Sequence, residues 1–405
     1  MEILTHAYAE LLSTIVEPTK QWLLKRPIWL RIMLLFCLPW LILAGFRPAY
    51  LSACIRLAGT TAAVGISGDK IPLSAQTQER LASVASQMEL QVESDLDQTL
   101  ARGPGDSAYA WALAQQIVAL RDRDVSIANK LSVINKLRSW QDGSGAFWSP
   151  LPGVAQFGAT GWCLYSLAAI REPATDGELQ FVLARQRSDG GWTLYDGDNE
   201  ARESVFATAM LLLALHAQLP LQPPALHQRL RTCITRAEGW LIEHGDRARG
   251  RWRFFPLLDD SSESESDSGL ALFALHTSKL NTGASPAAGL DSAWLDGLPV
   301  ALPSRPGDLE VSGIWCDFQG KAIFDSVRHL RLPWMIAGTV STYASGTLLQ
   351  QSRVVRLLED SIANGDWRSG GKLDFQRAEL LLAITSLQRQ LRHRGQWQLV
   401  PLESQ

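Results

Sequence analysis

From about Leu73 onward, apolar residues recur three and four positions apart, the period of one buried helix face. That spacing predicts helices in pairs: 76–101 with 107–122, 126–140 with 158–170, 176–187 with 204–217, and 224–244 with 268–279. A less regular fifth pair falls at about 317–331 and 333–348, and a sixth at about 349–363 and 374–393. Breaks such as Arg102-Gly103-Pro104-Gly105 separate the members of a pair. Asn281 to Asp308, rich in Gly, Pro and Ser, reads as an inserted loop (281–308). No period-two alternation bounded by turns is long enough to suggest a sheet. The expectation is an all-α chain of six hairpins and twelve helices.

Two short signals recur on this pattern. The first is a glycine-rich turn carrying tryptophan: Trp140 to Trp148, Gln186 to Trp192, Asp246 to Trp252, and Asn364 to Trp367. The second opens the second helix of a pair, as in Asp106-Ser107-Ala108, Glu203-Ser204-Val205 and Asp267-Ser268-Gly269, with Asp374-Phe375-Gln376 looser. Asp and Ser satisfy free backbone N–H groups at a helix start, so this repeat is first a capping signal. Gly permits left-handed turns, Asp stabilises them, and Trp covers helix ends with a large apolar plate.

The N-terminus differs. Ile28 to Phe46 is apolar apart from Arg31 and follows Lys20, Lys25 and Arg26. Such a run is long enough to span a hydrocarbon core, and its basic flank favours a cytoplasmic N-terminus with the body extracytoplasmic. Ala49 to Ile66 is also mostly apolar, and a second span there would return the body to the cytoplasm. The expected organisation is a membrane-anchoring segment over 1–72 with its transmembrane helix at 28–46, a helical domain over 73–395, and a tail over 396–405.

The formal net charge of -3 argues against a nucleic-acid partner. Five scattered cysteines, Cys37, Cys54, Cys163, Cys233 and Cys316, contain no CxxC pair and argue against a disulfide scaffold, with a single bridge left open.

Gln186-Arg187-Ser188-Asp189-Gly190-Gly191-Trp192 resembles the Q-x-x-D-G-x-W repeat of squalene-hopene cyclases, and Gln141 to Trp148 is similar with altered spacing. Over roughly 75–395 the chain thus resembles the α/α-toroid superfamily of terpenoid cyclases and protein prenyltransferases. The resemblance implies an α6/α6 barrel, one ring of helices inside another around a central cavity. Squalene-type cyclases use two such domains, and this chain has room for one.

The candidate chemistry follows from that resemblance. Class II terpene cyclases protonate an alkene with the middle Asp of a D-x-D-D motif, and Glu265-Ser266-Asp267-Ser268 is the nearest match. Asp267 would be the general acid beside Glu265, or alternatively a helix cap. A second acidic group, Asp196, Asp198, Glu200 and Glu203, would hold Mg²⁺ against a diphosphate, or form a solvated loop. Asp259-Asp260-Ser261-Ser262-Glu263 has the spacing of a diphosphate motif from a different helical fold, and reads more naturally as an acidic loop. Cys316, Asp317 and His329 have the residue types of the prenyltransferase zinc site in the wrong order and spacing, so zinc is not expected. Trp192, Trp252, Arg251 and Arg253 are candidate substrate-binding residues. The arginines belong to a basic turn, with Arg247 and Arg249, interleaved with Phe254 and Phe255.

Two functions are open. One is an enzyme acting on an isoprenoid or other apolar lipid drawn from the bilayer. The other is a non-catalytic toroid that binds a lipid, peptide or partner protein at the membrane.

Overall fold

In the computed structural model, residues 73–392 are described apart from 104–108, 128, 150–153, 200–201, 260, 280–287, 303–308, 319–320, 366 and 368–373. All lie in the second of the two units, Lys70–Gln405, into which the chain divides. Among the described residues there are twelve α-helices in six hairpins. They are α1 (Ala75–Leu100) with α2 (Ala110–Asp122), α3 (Lys130–Ser139) with α4 (Phe157–Ala169), and α5 (Asp176–Ala184) with α6 (Val205–Gln218). Then come α7 (Pro224–His244) with α8 (Glu265–Lys279), α9 (Ala288–Asp296) with α10 (Arg331–Thr342), and α11 (Leu348–Asn364) with α12 (Asp374–Arg392).

The second helices close a ring: α2 packs on α4, α4 on α6, α6 on α8, α8 on α10, α10 on α12, and α12 on α2. First helices lie outside it, α1 against α2 and α12, and α7 against α6 and α8. The domain is an α/α toroid.

The two rings read differently because they are solvated differently. Outer helix α7 buries Leu230, Cys233, Ile234, Ala237, Trp240 and Leu241, a single stripe at helical spacing. Inner helix α6 is buried nearly all round, from Val205 through Leu215. Outer helices also carry the conventional starts. Thr175 and Glu178 form a capping box on α5, as do Thr347 and Gln350 on α11. Inner helices approach closely through small residues. The Gly338 position lies so near α8 that an added Cβ would stand 2.6 Å from the Gly269 Cα, and a Cβ at Gly269 would overlap the Trp334 carbonyl.

Three expectations change. The stretch 281–308 is not one loop, since α9 occupies its middle, burying Leu290, Trp294 and Leu295 and supplying the outer helix of the fifth pair. The helix expected at 317–331 is instead part of an antiparallel hairpin, β3 (Leu309–Phe318) and β4 (Lys321–Leu330), with Phe318 opposite Lys321. Ile323, Phe324, Val327 and Leu330 are spaced as on a helix face, so periodicity alone misassigns them. Finally, α8 starts at Glu265 and is capped by Ser264, whose Oγ accepts the Asp267 N–H at 3.1 Å. Asp267 and Ser268 therefore sit inside the first turn rather than at the cap.

No described helix is long and apolar enough to cross a membrane. The run 28–46 expected to do so lies outside the described residues, as does Ala49 to Ile66.

Gly269→Ala should destabilise the toroid by about 1–3 kcal/mol through overpacking of α8 against α10. Gly289→Ala on α9, where nothing lies within 4 Å, should be neutral or stabilising by up to about 1 kcal/mol. Urea unfolding of the two variants checks the contrast.

Candidate functional site

All the tryptophan turns lie on one face, where outer helices end and inner helices begin. The first three are built alike. An Asp accepts the backbone N–H two residues on: Asp142 from Ser144 at 3.0 Å, Asp189 from Gly191 at 3.2 Å, and Asp246 from Ala248 at 2.8 Å. The indole N–H then donates to a carbonyl near the end of the preceding outer helix. Trp148 reaches Leu137 at 2.7 Å, Trp192 reaches Val182 at 3.0 Å, Trp252 reaches Leu241 at 2.8 Å, and Trp367 reaches Ser361 at 3.1 Å.

In three turns the same tryptophan donates its backbone N–H to a hydroxyl on the following inner helix: Thr160 at 3.2 Å, Thr208 at 3.1 Å and Ser268 at 2.9 Å. The motif glutamine reaches the next outer helix. Gln186 Nε2 donates to the Cys233 carbonyl at 2.8 Å, and Gln141 Nε2 to Glu178 at 2.6 Å.

Trp192 and Trp252, expected to touch substrate, are thus fully buried staples between helices. Both polar groups of each are consumed inside the fold, which corrects that expectation. Arg251 pairs with Glu265 at 3.0 Å and donates to the Gly297 carbonyl, while Arg253 is exposed on the two-residue strand β1 (Trp252–Arg253), opposite Glu263 on β2 (Glu263–Ser264). Phe254 and Phe255 pack inward edge to face, so the basic turn presents arginines but no aromatic surface.

Glu265 is buried between Arg251 and Arg331, which hold it as an ion pair. Asp267 is buried in the first turn of α8, where the helix dipole favours a carboxylate. Cys316 stands opposite Ile323 and His329 opposite Glu310 in the β3–β4 ladder. Six residue steps along a strand separate those positions by roughly 20 Å, too far for a shared zinc. Among the described residues no group of three His, Cys, Asp or Glu side chains could hold a metal ion. Asp259 is exposed, and Asp260 and Glu200 lie outside the described residues.

At the level of these inner-helix starts the axis is filled. Trp162 of α4 meets Trp334 of α10 at 6.0 Å between ring centroids, although the two helices are not neighbours in the ring. Trp111 of α2 stacks on Phe206 of α6 at 5.6 Å, and Phe273 of α8 adjoins Trp334. Side chains from five inner helices therefore meet across the centre. An apolar chamber was expected there.

Among the described residues, open space is found off axis. A cavity of about 530 Å³ sits between the first and second tryptophan turns, against α5. Its floor is Phe147 stacked on Phe181 at 4.9 Å, with Phe157 behind Phe181 at 5.9 Å. At its rim the Arg185 guanidinium lies 3.9 Å from the Phe181 centroid and donates Nε to Asp196 Oδ2 at 2.8 Å. Gln180 completes the polar side. Of these residues only Asp196 was a sequence candidate. Phe181 and Arg185, four apart at the end of α5, carried a legible cation–π spacing.

Asp196, Asp198 and Glu203 belong to one excursion after Trp192, closed where Thr193 bridges Glu203 and where Leu194 N–H donates to the Arg202 carbonyl. Asp198 accepts the Tyr195 N–H, and burial pushes its carboxyl up to about 6 against the pull of Arg202 and Arg187. Glu203 is only 1% exposed. Burial, then the hydrogen bond to and repulsion from Asp189, push its carboxyl up to about 8, with Trp240 and Arg187 opposing. Neither Glu203 Oε2 nor the Trp240 indole N–H makes a well-formed hydrogen bond.

No family model and no curated protein matches the chain. Among solved structures it is similar to the glycoside hydrolase family 76 mannosidase Bt3792 from Bacteroides thetaiotaomicron VPI-5482, at 12% identity and a TM-score of 0.42, over 72% of this chain and 86% of that one. That neighbour is a glycosidase. The likeness to terpenoid cyclases and protein prenyltransferases read from Gln186 to Trp192 is corrected: no family model and no curated protein of that kind matches, and the similar solved structure is that of a glycosidase.

Thr208→Val keeps the shape of the inner helix but leaves the Trp192 N–H without its acceptor. It should cost about 1–3 kcal/mol of stability, measured by urea denaturation.

Proposed function

We propose that this protein is a binding toroid held at a membrane by 28–46, and that its cleft beside α5 takes a short peptide segment of a partner protein. The observation that carries the reading is the cleft itself. Its floor is a stacked pair of phenyl rings, and its rim is an arginine and a carboxylate in contact. A volume of about 530 Å³ falls in the range of small-ligand clefts, about 300–1,000 Å³.

An aromatic or aliphatic side chain would cover Phe147 and Phe181. Asp196 engages only Nε of Arg185, so the terminal nitrogens can meet a backbone carbonyl or carboxylate. The ion-paired Glu265 and the filled axis both support binding over acid catalysis. For the anchor, the support is the apolar run after Lys20, Lys25 and Arg26.

On arrays of short peptides carrying one aromatic residue beside a charged one, Phe181→Ala should weaken binding about thirtyfold, the worth of an interface anchor of about 2 kcal/mol. Its thermal midpoint should stay close to that of the parent. Peptides that bind this variant as well as the parent would remove the cleft from consideration.

The anchor is tested separately. The full chain should float with phospholipid vesicles, and Leu34→Lys with Leu35→Lys should abolish flotation, each charge costing about 2.5–3.5 kcal/mol at mid-span. Unchanged flotation would locate membrane attachment elsewhere.

A further inference from the structure

Glu203 is a buried carboxyl that the binding reading leaves unused, and it occupies the closure of the excursion that supplies Asp196 to the cleft. Three elements converge on it. Gly191 approaches so closely that a Cβ there would overlap the Glu203 carboxylate and stand 2.7 Å from the Trp240 indole nitrogen. Asp189 lies against the same glycine, its Oδ1 accepting the Gly191 N–H at 3.2 Å, so both carboxyls crowd Gly191 from the tight turn and from the closure.

The charged groups around this pair are few. Arg187 lies on the same turn, and its carbonyl accepts from Arg236 of α7. Further along α7, His244 stacks on Trp240 at 4.5 Å. Arg187 also donates to the Asp198 carbonyl at 2.6 Å, and Arg202 faces the Asp198 carboxylate at 3.9 Å.

We propose that Glu203 and Asp189 form a proton-dependent clasp. With one proton between them, Glu203 donates to the Asp189 carboxylate and segment 193–198 stays closed on 202–204. When that proton leaves to solvent, two carboxylates face each other beneath Gly191, the closure loosens, and the Asp196 edge of the cleft loosens with it. The segment leading to Asp196 is tied to this closure by the Thr193–Glu203 bridge and by Leu194 N–H donating to the Arg202 carbonyl, while its other edge rests on the preceding hairpin, where Asp196 N–H donates to the Ala155 carbonyl and the Leu194 carbonyl accepts from Phe157 N–H. The closed form binds the proton more tightly than the open form, in which Glu203 returns to its ordinary value near 4.5. Opening is therefore favoured progressively as pH rises from about 4.5 to about 8, and gains nothing further above that.

The effect on the cleft rests on the binding reading above, whereas the clasp does not. Amide hydrogen exchange of the full chain, without ligand, reads the clasp alone. Between about pH 6.5 and 8, above the Asp198 transition, exchange in 193–198 should accelerate about tenfold per pH unit beyond its chemical rate. Glu203→Gln, which donates permanently, should remove this excess, and Asp189→Asn should remove most of it. His244→Gln should leave it intact. The same acceleration in Glu203→Gln as in the parent, or its loss in His244→Gln, would overturn the proposal. If the clasp is confirmed while peptide binding stays independent of pH, the coupling of clasp to cleft is overturned and the clasp stands; if Phe181→Ala leaves peptide binding unchanged, the cleft reading fails and the clasp again stands.

Discussion

The toroid depends on one two-ended contact, repeated around the turn face. A buried tryptophan gives its indole N–H to a carbonyl at the end of an outer helix, where helical bonding leaves carbonyls without partners. Three of these tryptophans also give their backbone N–H to a hydroxyl on the next inner helix. One side chain thereby satisfies polar groups at the junction of two helices while burying a large apolar surface between them. Buried donors and acceptors left alone would each cost about 1–3 kcal/mol, so the angle of every such hairpin is strongly specified.

That constraint limits what the turn residues can do chemically. Asp142, Asp189 and Asp246 shape their own loops, Gln141 and Gln186 bridge to the next hairpin, and the tryptophans are consumed inside. At the same level the ring interior is filled by Trp162, Trp334, Phe206 and Phe273. Space and titratable groups are displaced outward, to the cleft at Phe181 and Arg185 and to the excursion between Trp192 and Ser204. There the protein holds a carboxyl whose closed environment opposes its ionisation, and a rim carboxylate only a few residues away.

Most of the hairpins and their order were legible because outer helices such as α7 present a single buried stripe, whereas inner helices such as α4 and α6 are apolar nearly all round. The fifth pair was the exception. Gly289 and Ser292 obscure the short helix α9, and Ile323, Phe324, Val327 and Leu330 imitate helical spacing in a strand. Glu203 was visible as part of a recurring helix start, yet Ser204 does the capping and Glu203 is buried beside it. The Arg185–Asp196 contact spans a turn whose path no local pattern encodes.

Periodicity and turn chemistry therefore determined the architecture, since both act between residues close in the chain. Tertiary structure alone decided which carboxylates are neutralised, which tryptophans are consumed, and where space remains. Those outcomes depend on burial and on partners brought together from different hairpins. Arg331 reaches Glu265, and Trp334 meets Trp162, only once the ring has closed.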